Sequence, residues 1–315
     1  MFDAIVIGGG PAGLSAALCL GRTHRSTLVL DTEDGRNAPA QNVHNFFTQD
    51  GTPPTEIRRI GAEQLGHYPS VRLQVAEVSR VEREAPEAFA VVLADGQVEH
   101  GRRLLLATGL ADDLPAIEGI GPLWGRSAFH CPYCHGYEVS GSPIAVVGST
   151  PDRVRLAVHL SRFTDDIVLC ADGETEFPEP LTAALGKAGV EIRTERVTAV
   201  RADGPQLRAI QFETGPELER SGMFIKTGLR QRSPIAAQLG CAIFPDNAVE
   251  VNEFGQTSVP GVYAAGDMAR RSTVPMPVSA VVVAAASGTV AAGIIDQDLL
   301  SVEYGLPNPF ANARS

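Results

Sequence analysis

Basic charge is in short supply in this chain. It carries 26 lysines and arginines against 37 aspartates and glutamates, a net charge of -11. Such a surface repels nucleic acid and anionic membrane, so neither is expected as a partner. Cysteine is sparse too. Five cysteines in 315 residues, irregularly spaced, are too few for the disulfide framework of a secreted protein. The N-terminus lacks the basic segment and apolar run of a signal peptide and opens directly into a strand, Phe2 to Ile7. A cytoplasmic location is the expectation that follows. Uninterrupted apolar runs are also missing. Val278 to Ile295 comes nearest, but Ser279, Ser287, Gly288, Thr289 and Gly293 break it up. It reads as a buried helix in a soluble protein.

What is present is an imperfect internal repeat, in a length that suits two domains. Phe2–Leu20 reads as strand, Gly-rich turn and helix, and Pro143–Ser161 reads the same way. Two such units predict an α/β protein with two Rossmann-like nucleotide-binding domains. Leu110–Pro115 and Leu229–Pro234 read as linkers that bracket the second unit. The expected division is a discontinuous first domain, 1–112 and 235–315, with a second domain, 113–234, inserted in it.

Gly8-Gly9-Gly10-Pro11-Ala12-Gly13 fits G-x-G-x-x-G, with the apolar strand Ala4–Ile7 before it and a helix from Pro11 after it. Gly8 permits the tight turn, Gly10 lets a pyrophosphate approach the backbone, and Gly13 lets helix and strand pack closely. The helix start offers unpaired N–H groups and a positive dipole end to phosphates. Strand Thr27–Leu30 ends in Asp31, about 20 residues past the glycines, where an acceptor for a ribose hydroxyl is expected. The loop alone does not separate FAD from NAD.

The second chemical feature is His130-Cys131-Pro132-Tyr133-Cys134-His135-Gly136. Two cysteines three apart close a small, easily reduced ring, and a thiolate is the nucleophile of disulfide exchange. The flanking histidines are placed to lower a thiol pKa or move its proton. Structural zinc ordinarily needs four ligands. There is no second Cys-x-x-Cys, and Cys19, Cys170 and Cys241 stand isolated in apolar stretches, so a redox pair is expected and no metal.

The repeat's second loop is degraded. Gly148-Ser149-Thr150-Pro151-Asp152-Arg153 keeps the first glycine, but Thr150 and Arg153 replace the other two. Thr150, Pro151 and Asp152 also make a self-sufficient helix start. Strand Asp166–Cys170 runs on into Ala171-Asp172-Gly173-Glu174, acids where a 2′-phosphate would sit. One like charge at 4 Å costs about 1 kcal/mol in water and about 4 kcal/mol at an effective dielectric of 20. NADPH is therefore doubtful, while NADH or a second dinucleotide, even a second FAD, stays open.

Taken together these motifs resemble the pyridine nucleotide-disulfide reductase superfamily, and within it the low-molecular-weight thioredoxin reductases, over nearly the whole chain. The resemblance implies FAD in the first domain. It gives Ala107-Thr108-Gly109 and Gly266-Asp267, each ending a strand, as further FAD contacts, with Asp267 against the ribityl–pyrophosphate part. Asn45 resembles a position near the flavin ring. Cys134 becomes the thiol facing the flavin and Cys131 the interchange thiol. The family usually has Asp-Gly after the second cysteine, the Asp carrying the proton; here His135-Gly136 stands there, an imidazole with a pKa expected nearer neutrality. Cys-Pro-Tyr-Cys-His-Gly is closer to a subgroup that includes the gliotoxin and holomycin dithiol oxidases, which pass electrons from a dithiol to FAD and on to oxygen. A homodimer is implied by resemblance, with a thioredoxin-like protein or a small dithiol or disulfide as substrate. The readings left open are a thiol–disulfide oxidoreductase without NADPH, an NADPH-dependent thioredoxin reductase, an oxygen-using dithiol oxidase, and a redox sensor without turnover.

Overall fold

The computed structural model describes residues 1–173 and 175–310. The chain divides into two compact units. The first holds Met1–Arg36, Thr55–Ala111 and the chain from Leu229 onward; the second holds Asn37–Pro54 and Asp112–Gly228.

The first unit is built on strands β1 (Phe2–Ile7), β2 (Thr27–Asp31), β3 (Val71–Val75), β4 (Val78–Ala85), β5 (Ala88–Leu93) and β6 (Val98–Leu106), in the order β3-β2-β1-β6-β5-β4. β1, β2, β3 and β6 run parallel, and β4 and β5 continue from β6 antiparallel. Strand Val262–Ala264 pairs in parallel with Leu104–Leu106 of β6. From Ala4 to Ile7, β1 is an unbroken apolar run because both of its faces are covered there. Ala4 and Val6 pack toward a helical layer, and Ile5 and Ile7 join Leu28, Leu30, Leu104 and Met268 on the other face. The chain moves outward from β1 through β2 and β3, then returns to β6 on the opposite side. The carboxyl ends of β1 and β6 thus form the switch point at which such sheets bind ligands.

Helix α1 (Pro11–Arg22) begins with extended Gly10 at its N-cap and Pro11 in its first turn, the arrangement that suits proline's fixed φ and missing N–H. It packs on helix Val281–Tyr304 through small residues. A Cβ at Gly288 would fall 2.0 Å from the Ala12 carbonyl oxygen. The later helix is long and apolar enough to cross a membrane by length and composition. Here Ala284, Gly288, Ala291, Ala292, Ile295 and Leu299 are buried, while Val283 and Val290 on the opposite side are exposed.

The second unit repeats the scheme with five parallel strands. Their order is Glu191–Arg193, Ile167–Cys170, Ile144–Val147, Gly222–Phe224 and Ala128–Phe129. A three-stranded antiparallel sheet, Val197–Asp203, Gln206–Phe212 and Leu218–Glu219, accompanies it. Ala145, Val147, Val168 and Cys170 face one core, and Ile144, Val146, Ile167 and Leu169 face the other. The linker segments are not irregular coil. Leu110–Asp113 and Gly228–Gln231 are strands that pair with each other.

Candidate active site

In the first unit the fingerprint glycines do three different things. Gly8 has φ +110°, and a Cβ there would sit 2.3 Å from the Ala107 carbonyl oxygen. At this point the backbone after β1 packs directly against the backbone after β6, and only glycine fits. A Cβ at Gly13 would sit 1.8 Å from the Gly8 carbonyl oxygen, so helix and turn are in backbone contact. Gly10 differs: nothing lies within 4 Å of a Cβ built there. No packing among the described residues requires a glycine at that place, and the open space lies at the N-cap of α1. A phosphate-bearing ligand fits that space, and FAD fits the site on that ground.

The other expected contacts gather around the same strand ends. Asp31 accepts the Gly9 N–H at 2.9 Å and pairs with Arg58 at 2.5 Å. Ala107 N–H donates to Ile7 O at 2.8 Å, which ties the Ala107-Thr108-Gly109 turn to β1. Gly266 has φ +78°, and its N–H donates to Ser287 Oγ at 3.0 Å. Asp267 follows, its Oδ2 receiving Arg36 Nη1 at 2.9 Å; the same nitrogen donates to Ser279 Oγ at 2.8 Å. Arg36, Arg58 and Ser279 belong to no motif that marks them as part of this site. Their part in the site is visible only once the fold brings the segments together.

Asn45 is not in that group. It lies in the second unit with φ +61°, and its Nδ2 donates to the Tyr133 carbonyl at 2.5 Å. This bond fixes the 37–54 segment to the turn between the two cysteines. His44 beside it lies between two carboxylates, Asp50 at 3.5 Å and Glu138 at 3.2 Å.

Cys131 and Cys134 are joined in a disulfide. Cys131 caps the short helix Pro132–His135, and its Sγ receives the Cys134 N–H at 3.2 Å. A backbone N–H aimed at sulfur favours a thiolate there after reduction. His135 stacks on Phe129 with centroids 4.5 Å apart and planes 17° from parallel. Both of its ring nitrogens are buried and have no hydrogen-bond partner among the described residues. Burial first, and the neighbouring His130 and His44 second, push its pKa down to about 4. The expectation of a pKa nearer neutrality is therefore corrected: desolvation disfavours the imidazolium, and at pH 7 the ring is neutral, with an unused lone pair.

The second nucleotide loop is filled from within. A Cβ at Gly148 would meet Arg153 Cγ at 3.0 Å, because the Arg153 side chain lies across the turn. Its guanidinium donates to the Ile225 carbonyl at 3.3 Å and meets Asp152 at 3.0 Å. It thus spans the ends of the two central strands, the place a diphosphate takes in this architecture. Thr150 holds the N-cap position with extended backbone but makes no side-chain cap. Asp172 adopts φ +61° and accepts the Val197 N–H at 2.8 Å. Glu174 lies outside the described residues.

Residues 2–288 match the family described as pyridine nucleotide-disulphide oxidoreductase. Among curated relatives, a thioredoxin reductase tcpT of Claviceps purpurea is 34% identical over 84% of this chain and 86% of its own length. A thioredoxin reductase sirT of Leptosphaeria maculans is 33% identical over 96% of each chain. Among solved structures, that of HlmI superposes with a TM-score of 0.88 at 34% identity, covering 96% of this chain and 94% of the other. That of a putative thioredoxin reductase TrxB from Bacillus anthracis gives 0.88 at 30% identity, over 96% and 100%.

Proposed function

The chain belongs to the pyridine nucleotide-disulphide oxidoreductase family, and from that premise we propose that it oxidises dithiols through Cys131 and Cys134 without ordinary use of NADPH. It is a thioredoxin reductase-like flavoprotein oxidoreductase acting on sulfur groups. The finer reading is that a substrate dithiol is the electron donor and, by the likeness of Cys-Pro-Tyr-Cys-His-Gly to the dithiol oxidases, dioxygen the final acceptor. The substrate leaves as a disulfide, and its two electrons and two protons reduce dioxygen to hydrogen peroxide. A small dithiol or a thioredoxin-like protein is the donor, and a homodimer in the cytoplasm is the expected form.

The chain's own groups suit that direction. A substrate thiolate attacks the Cys131–Cys134 disulfide; a second substrate thiol then closes the product and leaves both cysteines reduced. By the family resemblance Cys131 is the thiol for exchange, and the Cys134 N–H stabilises negative charge on its sulfur once the pair is reduced. His135 enters neutral and accepts a proton from the arriving thiol. Bound FAD supplies a two-electron acceptor for the reduced pair. The residues that would hold it in the first unit are Gly8, Gly10, Pro11, Ala12, Gly13, Asp31, Ala107, Thr108, Gly109, Gly266 and Asp267.

The observation that supports independence from NADPH is Arg153, which occupies the turn at Gly148 and bonds Ile225 across it. Anaerobic titration of the oxidised protein tests this. Dithiothreitol is expected to bleach the flavin, and stoichiometric NADPH to leave it largely unchanged over minutes. Replacing Thr150 and Arg153 by glycine is not expected to restore NADPH use, because Asp172 remains. Rapid stoichiometric reduction by NADPH would overturn the reading in favour of an ordinary thioredoxin reductase.

A further inference from the structure

The site expected to take FAD sets two carboxylates at strand ends of one sheet, Asp31 at the end of β2 and Asp267 just after strand Val262–Ala264, although the cofactor's diphosphate is itself an anion. The loop that greets the diphosphate brings no cation: α1 has no basic residue before Arg22, in its last turn. The compensating charge comes from elsewhere. Arg58 pairs with Asp31. Arg36 pairs with Asp267 at 2.9 Å while its Nη1 also holds Ser279 at 2.8 Å, just before the helix Val281–Tyr304. The Arg36 and Asp267 side chains are only 15% and 21% exposed, so water screens their charges poorly. The Asp267 side of this arrangement is rigid: Gly266 is fixed in its left-handed turn by Ser287.

We propose that Arg36 is a positioning residue for FAD, acting through Asp267: by pairing with this carboxylate it lets an anionic diphosphate settle beside an acid that would otherwise repel it. The inference rests on the reading that the first unit holds FAD. It assigns a role to a residue outside every recognised motif, and the role is electrostatic before it is structural. Removing the guanidinium leaves a partly buried, uncompensated carboxylate at the cradle. Removing both charges leaves the cradle neutral again.

The test uses the full-length holoenzyme, diluted so that released FAD is read by its fluorescence. Arg36→Gln is expected to weaken FAD retention by about ten-fold or more. Raising the salt concentration should recover part of that loss, since salt screens the exposed fraction of the repulsion. Arg36→Gln combined with Asp267→Asn should hold FAD better than Arg36→Gln alone, a recovery that a merely structural role for Arg36 would not give. Arg36→Lys keeps the charge and should stay within about three-fold of wild type, so it carries the test if Arg36→Gln is insoluble. Wild-type retention in Arg36→Gln, no gain in the double variant, or a ten-fold loss in Arg36→Lys would each overturn the proposal. A wild-type protein that purifies with no FAD would overturn the underlying reading instead, and the two failures are distinct.

Discussion

His135 is a neutral imidazole buried beside a disulfide, and this has a measurable thermodynamic cost. Its pKa is pushed down to about 4 in the folded protein, against roughly 6.5 in an unfolded chain. Between those values the unfolded state binds the extra proton, so stability rises with pH through the window. The contribution is fully present above about pH 6.5 and is lost as pH falls toward 4, by on the order of 3 kcal/mol. His135→Phe, which keeps the stack on Phe129, should flatten this part of the profile. The difference in thermal midpoint between wild type and variant, compared at pH 7.5 and pH 5, checks it; an unchanged difference would show that the ring does not titrate as described. The two sulfurs are distinguished by a second measurement. If Cys134 faces the flavin, Cys131→Ser leaves it free as a thiolate and should produce a long-wavelength charge-transfer band, which Cys134→Ser should lack. A band in the Cys134 variant instead would reverse the roles.

At the scale of elements, the strand–turn–helix at the N-terminus separates folding from binding. Gly13 is required by packing, because a side chain would collide with the Gly8 carbonyl. Gly10 faces open space. Gly10→Val is therefore expected to give a folded protein without flavin, and Gly13→Ala a destabilised one; circular dichroism and the visible flavin spectrum distinguish the two outcomes. This unit was legible in the sequence because its chemistry is local: Ile7, Gly8, Pro11 and Gly13 state strand, turn, helix start and close packing within seven residues. The degraded loop was legible for the same reason, although the way Arg153 folds back over Gly148 was not. Asn45 shows where such reading stops. Its bond to Tyr133 depends on the 37–54 segment joining the second unit, and no periodicity in that segment marks its destination. Arg36 and Arg58 were invisible for a related reason: an arginine's long side chain finds its partner through the tertiary fold, and Asp267 lies 231 residues from Arg36. The pKa of His135 was misjudged because burial, which dominates it, is not written in the residues beside it.

At the scale of the whole molecule, each unit carries its own cores on both faces of its own sheet. The first unit must assemble from both ends of the chain, and ion pairs between those ends are central to it. Arg103 on β6 is 4% exposed and bonds Asp298 of the long helix at 2.6 Å and Glu87 at 2.7 Å. Asp298 also accepts the Tyr263 hydroxyl at 3.0 Å and Asn308 Nδ2 at 2.9 Å. Arg25, just after α1, pairs with Asp296 and Glu303 of the same helix. Breaking a buried pair by removing one partner is costly because the remaining charge stays buried, while the pair itself adds little over an apolar replacement. Asp298→Ala removes one acceptor from the buried Arg103 and one from the Tyr263 hydroxyl. A loss of about 3–5 kcal/mol is expected, confined to the unit proposed to hold the flavin. Urea unfolding followed by two probes tests that confinement. Flavin release should shift to lower urea in Asp298→Ala. The fluorescence of the single tryptophan, Trp124, reports the other unit, and its own transition should move little. A joint shift of both signals would mean that the two units unfold as one cooperative body, and that the inserted unit does not stand on its own cores.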